Sequence, residues 1–523
     1  MRPPLWHPPI ALSPAEHAII KRIRRAKLFV FLRHHRHELF VDAFQHALAT
    51  LYKESAQGYP PVPPAQLALA TILPADTGVS DDEVMEATMR DRRWQMVLDC
   101  LDSDSAPFSK GTLVAFRQRL IAQQMDRRLL ERTLEIAAAS GAFGARQLRA
   151  ALDSSPLWGA GRVEDTYNLL GHALRKAVGV IARQQRRGLP EVANEVGAPI
   201  VGGSSLKAAL DLDWDEPTAR QHALTIVLDA LNAVDHGLDT QPASVEAAPE
   251  VPASLAVAHQ VCAQDVTMAA NGTPSLRQGV AEDRRISVED GEMRHGRKSR
   301  SLLVDGYKRH VVRDLDSRLI IAVGVTPANA PEASVTEAID TDLAAQQRAL
   351  TELHIDRAYL ASQLVQQRTA TLTICCKAWP VRQSPYFPKS AFMLDWERQE
   401  LQCPGGVRMP FEPGGVVQFP AATCASCPLR ERCTTSASGR SVSIHPDEAL
   451  LQELRERQRT PQGRAKLRER VAVEHALAHI GHWQGRRARY RGVRKNVFDL
   501  RRCAVVHNLH VLARLAETEH QAA

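Results

Sequence analysis

Long apolar runs are missing from this chain of 523 residues. No stretch is apolar and uncharged for the ~20 residues a membrane helix needs, which argues against a bilayer-spanning helix. The opening MRPPLWHPPIALSPAEH also lacks the continuous apolar segment of a secretory signal. The expected location is therefore cytoplasmic, with no membrane partner. Cysteine is scarce and uneven: four of the nine fall between Cys403 and Cys433. In a chain without an export signal, that pattern reads as metal ligands or free thiols before disulfides. Nor is there a strong charge excess. Lys and Arg number 66 against 59 Asp and Glu, for a net charge of +7. The balance favours polyanionic partners without identifying one. Hydrophobic (44%) and charged (24%) fractions are those of an ordinary globular protein. The length suggests three or four structural units.

What is present changes character along the chain. Residues 1–145 read as a helical N-terminal domain, opened by the capping box Ser13-Pro14-Ala15-Glu16. Helical spacing continues through 39–51, 66–72, 81–101 and 112–139. Basic residues (Lys21, Arg22, Arg24, Arg25, Lys27, Arg117, Arg119, Arg127, Arg128) occupy the other faces. They suit solvated helix faces or DNA contacts, and the turn Ser109-Lys110-Gly111-Thr112 before a basic helix fits the latter. A short strand at 148–153 follows, then a mostly helical insertion over 165–300 that includes a linker-like stretch at 236–252. Strands at 306–313 and 319–325 make a hairpin around DLDSR. A helix at 334–350, a strand at 352–356, a helix at 359–369 and a strand at 372–376 come next. Residues 386–454 are irregular and carry the cysteines. A long helix runs from Pro461 to about Trp483, and a last helix covers 498–515. The expected fold is mixed α/β: a five-stranded mixed sheet with flanking helices, built from 146–385 and 455–520, with a large helical insertion after its first strand.

Two carboxylates close strands in this order. In a ribonuclease-H-like arrangement the first and fourth strands are parallel neighbours, so Asp153 and Asp356 would meet at their C-terminal ends. Two Mg²⁺ ions roughly 3.5–4 Å apart clamp the attacking and leaving oxygens of a phosphoryl displacement, and Mg²⁺ prefers carboxylate oxygen. A third carboxylate should come from a helix on the sheet. Glu474 is the candidate, one turn after Arg470; the alternative for that pair is a surface ion pair. Asp305 is the rival for the first position, but it enters an antiparallel strand at the wrong edge. Asp314 and Asp316 read as turn residues.

The strings Asp153-Ser154-Ser155-Pro156, Glu164-Asp165-Thr166, Arg294-His295-Gly296-Arg297-Lys298, Gly306-Tyr307-Lys308-Arg309-His310, Asp356-Arg357-Ala358-Tyr359 and Tyr490-Arg491-Gly492-Val493-Arg494-Lys495-Asn496 resemble bacterial insertion-sequence transposases with a DDE catalytic domain of ribonuclease-H-like (retroviral-integrase-like) fold. Leu39-Phe40-Val41-Asp42 and Thr77-Gly78-Val79-Ser80-Asp81 resemble the domain that precedes catalysis in that group. The resemblance implies Mg²⁺-dependent nicking at element ends and strand transfer into a target. It also implies two Mg²⁺ ions (Mn²⁺ substituting), double-stranded DNA as partner, a homodimer on paired ends and a nucleoid-associated location when DNA is bound. Asp153, Asp356 and Glu474 take the three acidic positions. Around the third, the group's Tyr-x2-Arg-x3-Glu-x6-Lys pattern is met by Arg470 and Glu474, but Leu467 stands for the Tyr and Gly481 for the Lys.

Cys403, Cys424, Cys427 and Cys433 give C-x20-C-x2-C-x5-C, a donor set suited to structural Zn²⁺ or to free thiols. Cys100, Cys375, Cys376 and Cys503 read as core thiols. Arg486, Arg487, Arg489, Tyr490, Arg491, Arg494 and Lys495 form a basic run expected to bind DNA phosphates, together with Arg470 and with Lys308, Arg309 and His310 on the second strand. Trp379 and Trp396 suit core packing, or stacking on an unpaired base. A nuclease without strand transfer and a catalytically dead DNA-binding protein are the competing readings.

Overall fold

The computed structural model of the chain describes residues 2–53, 60–101, 103–141, 143–144, 147–238, 249–299, 301–380 and 384–522. Its centre is one mixed sheet. β1 (Gln147–Trp158) runs through the middle, where neighbours on both sides and helices on both faces bury Ala150–Ser154. β5 (Leu303–Asp314) pairs antiparallel with β1, setting Asp153 opposite Val311. β6 (Ile320–Pro327) pairs antiparallel with the far edge of β5. On the other side of β1, β7 (Ala349–Ile355) and β8 (Thr373–Cys376) follow in parallel. A sixth strand, β4 (Arg294–Arg297), pairs with the start of β5 beside β6, one strand more than the sequence suggested. Two three-residue strands, β2 (Val266–Met268) and β3 (Pro274–Leu276), form a separate hairpin before it.

The helices that precede β1 pack into the same core as the sheet. One hydrophobic cluster runs from Ile19 through the sheet to Ala513. Helix Pro64–Thr77 is buried from Pro64 to Ala75, as expected of a helix apolar on every side. The last helix, Val493–Ala522, joins the halves. Its buried Asn508 donates to the Thr133 hydroxyl and the Ile320 carbonyl, both at 2.9 Å, and accepts the Ile320 N–H at 2.8 Å. Arg501 links Asp126 (3.2 Å) to Asp342 (3.0 Å). Ser13 does form the capping box, at the start of helix Pro14–Arg22.

Two insertions carry cores of their own. Helices Thr166–Gln185, Pro217–Leu238 and Glu250–Asp265 enclose one apolar cluster. Most of the expected linker, residues 239–248, lies outside the described residues, and its last part already belongs to helix Glu250–Asp265. The second core is small: Phe392, Leu401, Phe411, Val417, Phe419, Val442 and Ile444, among strands of three residues each. The helix expected from Pro461 to Trp483 is two, Pro461–Glu469 and Val471–Gln484, with the turn at Arg470. The helix expected over 359–369 shrinks to one short turn at Gln363–Gln366.

Candidate active site

The β1–β7 pairing places Ala151 opposite His354. Continued by two residues, the register sets Asp153 opposite Asp356, and side chains two apart on a strand share a face. Asp356 directly follows β7, is exposed, and accepts the Arg357 N–H at 2.6 Å. Both carboxylates act on the Tyr359 phenol below them. Burial raises that phenol well above its ordinary pKa, and Glu332, Asp153 and Asp356 add to the rise.

Asp153 is buried, and the burial pushes its carboxyl above the usual aspartate value against the opposing pull of the Ser154 N–H, Arg470 and Lys298. Arg470 sits where the helix on this face breaks. One guanidinium nitrogen reaches Asp153 Oδ2 at 2.5 Å and another reaches Glu474 Oε1 at 2.7 Å. A single cation thus bridges two of the three expected acids, although 321 positions separate them in sequence. Lys298, outside the sequence-derived site, donates to the Ser154 hydroxyl at 2.6 Å and pairs with Glu332 at 3.1 Å. Asp305 pairs with His295 at 2.6 Å. It lies six residues along β5 from Asp153's partner Val311, about 20 Å at strand rise, so it is no rival for the first position.

Among the described residues, the group of three potential metal ligands whose donor atoms all lie within 4.8 Å is Glu352, His354 and Cys375. Asp153, Asp356 and Glu474 do not close to that span, nor do any three of the four clustered cysteines. Glu352 is already satisfied: it accepts from His354 (2.6 Å), Lys466 (2.7 Å) and Arg149 (3.0 Å). Burial raises its pKa, but these partners outweigh it and hold the carboxyl at about 2. The group reads as a charge-compensated lock between the sheet and helix Pro461–Glu469, completed by the Arg149–Glu469 ion pair.

The basic strings divide. Lys308, Arg309 and His310, expected to contact DNA, are turned inward. β5 is a central strand, and all three are buried. Lys308 donates to the Ala330 carbonyl, and Arg309 to Ser155, Gln484 and the Gly485 carbonyl. His310 lies between Tyr359 and Thr326, with burial lowering its pKa to about 3. The later run is at the surface. Arg486, Arg487, Arg489, Arg491 and Lys495 are exposed. Arg487 donates to the Gly159 carbonyl and Arg491 pairs with Glu289. Arg494 is half-buried against Asp126, and Tyr490 packs edge-on to Phe498.

Cys403, Cys424, Cys427 and Cys433 line one cavity of about 40 Å³. The Cys427 and Cys403 sulfurs flank Gly405, where a β-carbon would lie 3.3 and 3.7 Å from them. Burial, and then the other three cysteines, push the Cys433 thiol up. Cys100, Cys375, Cys376 and Cys503 are buried. Trp396 packs edge-on to Phe411, whereas Trp379 is half-exposed, with Arg357 over its ring at 5.1 Å.

A family model described as a transposase DDE domain matches residues 403–513, and one described as a transposase domain (DUF772) matches residues 21–119. The first stretch contains all four clustered cysteines, Arg470, Glu474 and the basic run. No curated protein and no solved structure matches the chain. Among the described residues, no helix is long and apolar enough to cross a membrane.

Proposed function

For an insertion-sequence transposase with a DDE domain, which the two family matches together support, we propose that Asp153, Asp356 and Glu474 are the three acids and that the chain cuts element ends and joins them to target DNA. The observation that carries the reading is the Arg470 bridge. One guanidinium is shared by two of the three acids, so the crevice already gathers anionic oxygen around a cation. The strand order β6-β5-β1-β7-β8, with β1 and β7 parallel, supports a ribonuclease-H-like core.

The donor set suits divalent metal: three carboxylates, one of them buried and held by one arginine, offer hard oxygen ligands of the kind Mg²⁺ selects. In this reading Asp153, Asp356 and Glu474 would together hold the ions, with Asp153 serving both. Bound there, the ions would supply an acidified water and neutralise charge developing on phosphate. The chain's own part is positioning. The sheet fixes Asp153 against Asp356, and the Glu352 lock fixes the helix pair that carries Arg470 and Glu474. Arg470, released from the acids, is within reach of a phosphate. In the first reaction water displaces one strand's 3′ oxygen from its phosphate. In the second the freed 3′-OH attacks a target phosphodiester, and an equivalent 3′-OH leaves. Arg486 and Lys495 are exposed and suit duplex phosphates, and a dimer would hold paired ends.

The four cysteines form a second, structural site. A core of seven side chains is too small to hold its short strands unaided, and four thiolates around one small cavity suit Zn²⁺.

The test uses plasmid bearing the DNA that flanks the gene. Wild-type protein should nick it in Mg²⁺ and yield joined product. Asp153→Asn and Asp356→Asn should each lose about a thousandfold in rate, roughly 4 kcal/mol of barrier. Nicking without joining would reduce the reading to a nuclease, and full activity in either variant would refute the assignment.

A further inference from the structure

Beside the carboxylate crevice, at the ends of β7 and β8, lies an open cavity of about 690 Å³ that the reaction as described does not use. Five separate stretches of chain build it, one of them contributing Ser390. Arg357 directly follows Asp356. Lys377 and Trp379 follow β8. Arg455 and Arg459 stand one turn apart on helix Glu448–Arg459, and Arg464 lies on the next helix. Five cations line the cavity and no acid does. Arg455 is engaged with Glu448 at 3.2 Å. Arg464 donates to the Arg459 carbonyl at 2.7 Å. Arg357, Lys377, Arg459 and Arg464 have no carboxylate partner among the described residues. The adjoining cavity, which shares Arg455 and Arg459, differs: Asp395, Glu397, Glu400 and Glu456 line it too.

Four uncompensated cations around one solvent-filled hollow repel one another, and a polyanion relieves that repulsion. Trp379 narrows the choice of polyanion. It is 50% exposed, unusual for so large an apolar side chain, and Arg357 stacks over its ring. A planar cation and an open indole among unpaired cations are the elements that hold single-stranded nucleic acid: stacking for a base, charge for the backbone. A base inside a duplex is already stacked on its neighbours and cannot reach an indole set in a hollow.

We propose that this groove is a binding site for an unpaired DNA end. Trp379 stacks on a base, while Arg357, Lys377, Arg459 and Arg464 hold the flanking phosphates. A volume of this order takes a ligand of about one or two nucleotides. Because Arg357 and Asp356 are adjacent, a strand seated here would enter the carboxylate crevice directly. The inference rests on the transposase reading only in naming DNA as the polymer.

The test measures binding by the full-length protein in EDTA, so that cleavage cannot interfere. The probes are a short oligothymidylate, a blunt duplex of equal length, and a duplex whose overhang carries a fluorescent base analogue. The wild type should bind the oligothymidylate and quench the analogue. Trp379→Ala should weaken single-strand binding about tenfold and abolish quenching, while Trp379→Phe keeps most of both. The double variant Arg459→Ala/Arg464→Ala should lower the salt slope of single-strand binding by about 1.4, two contacts at about 0.7 each. Duplex affinity should change little in any of them. Unchanged single-strand affinity and quenching in Trp379→Ala would overturn the proposal. So would equal losses for single strand and duplex, which would make the groove a duplex surface. Wild-type protein that shows these binding effects but no Mg²⁺-dependent nicking would refute the catalytic reading and leave the groove standing.

Discussion

Two carboxylates, Asp153 buried and Glu352 half-buried, lie on one face of the sheet, a few residues apart in register, and their surroundings are opposite. Glu352 has Lys466, Arg149 and His354 as partners, and its carboxyl is held at about 2. Asp153 has one arginine shared with Glu474, and burial leaves its carboxyl above the usual value. The first is saturated with positive charge and acts as a fastener. The second is short of it, and that shortage gives a divalent cation something to gain. Compensation, more than residue type, separates the structural acid from the one proposed to work.

The largest expected effect breaks the symmetry by function. Asp153→Asn should slow nicking by about the same thousandfold while leaving thermal stability unchanged or slightly raised, because a neutral amide removes the cost of a buried, under-compensated charge. Glu352→Gln should do the reverse. It leaves Lys466 and Arg149 without their anion, which costs about 2–3 kcal/mol, read as a lower melting temperature in calorimetry, with nicking reduced far less.

The pH dependence sharpens the same contrast. Glu352's folded value lies below its ordinary one, so its contribution to stability is complete above about pH 4.5 and is lost as pH falls toward 2. Asp153 is shifted upward, so its contribution runs the other way and falls as pH rises through its titration. Acid unfolding of Glu352→Gln should therefore be flatter than wild type below pH 4.5, and that of Asp153→Asn should not.

A similar comparison applies to cations. Arg486→Ala/Lys495→Ala should reduce the salt slope of duplex binding by about 1.8, two contacts at about 0.9 each. Lys308→Met should leave that slope unchanged, since Lys308 is turned inward to the Ala330 carbonyl. The smallest effect is confined to the cysteine module. Chelation should release one zinc per chain and expose Cys433 to thiol reagents, while the main unfolding transition stays in place. A protein purified without zinc, equally stable in chelator, would remove that site.

Much of this was legible in the sequence because sheet order follows from strand order. The parallel pairing of β1 with β7 followed from that order, but Asp153, expected to close its strand, lies five residues before the end of β1 at Trp158. Glu474 was visible through its one-turn spacing from Arg470. Other features were hidden because they depend on burial and on contacts distant in sequence. Lys308-Arg309-His310 and Arg486–Lys495 look alike as strings, and only the central place of β5 turns the first inward. The helix break at Arg470 has no proline or glycine to announce it; it accompanies the guanidinium's reach to Asp153 across 317 positions. The continuity of the N-terminal helices with the sheet depends on single side chains such as Asn508. The cationic groove beside Asp356 draws on five segments, none distinctive alone.

The central claim is most directly tested by counting bound Mn²⁺ by electron paramagnetic resonance, with a duplex of the flanking DNA present. The wild type should hold two ions per chain, and Asp153→Asn should lose both, because the bridging position serves each. Two ions bound with unchanged affinity in Asp153→Asn would contradict the account.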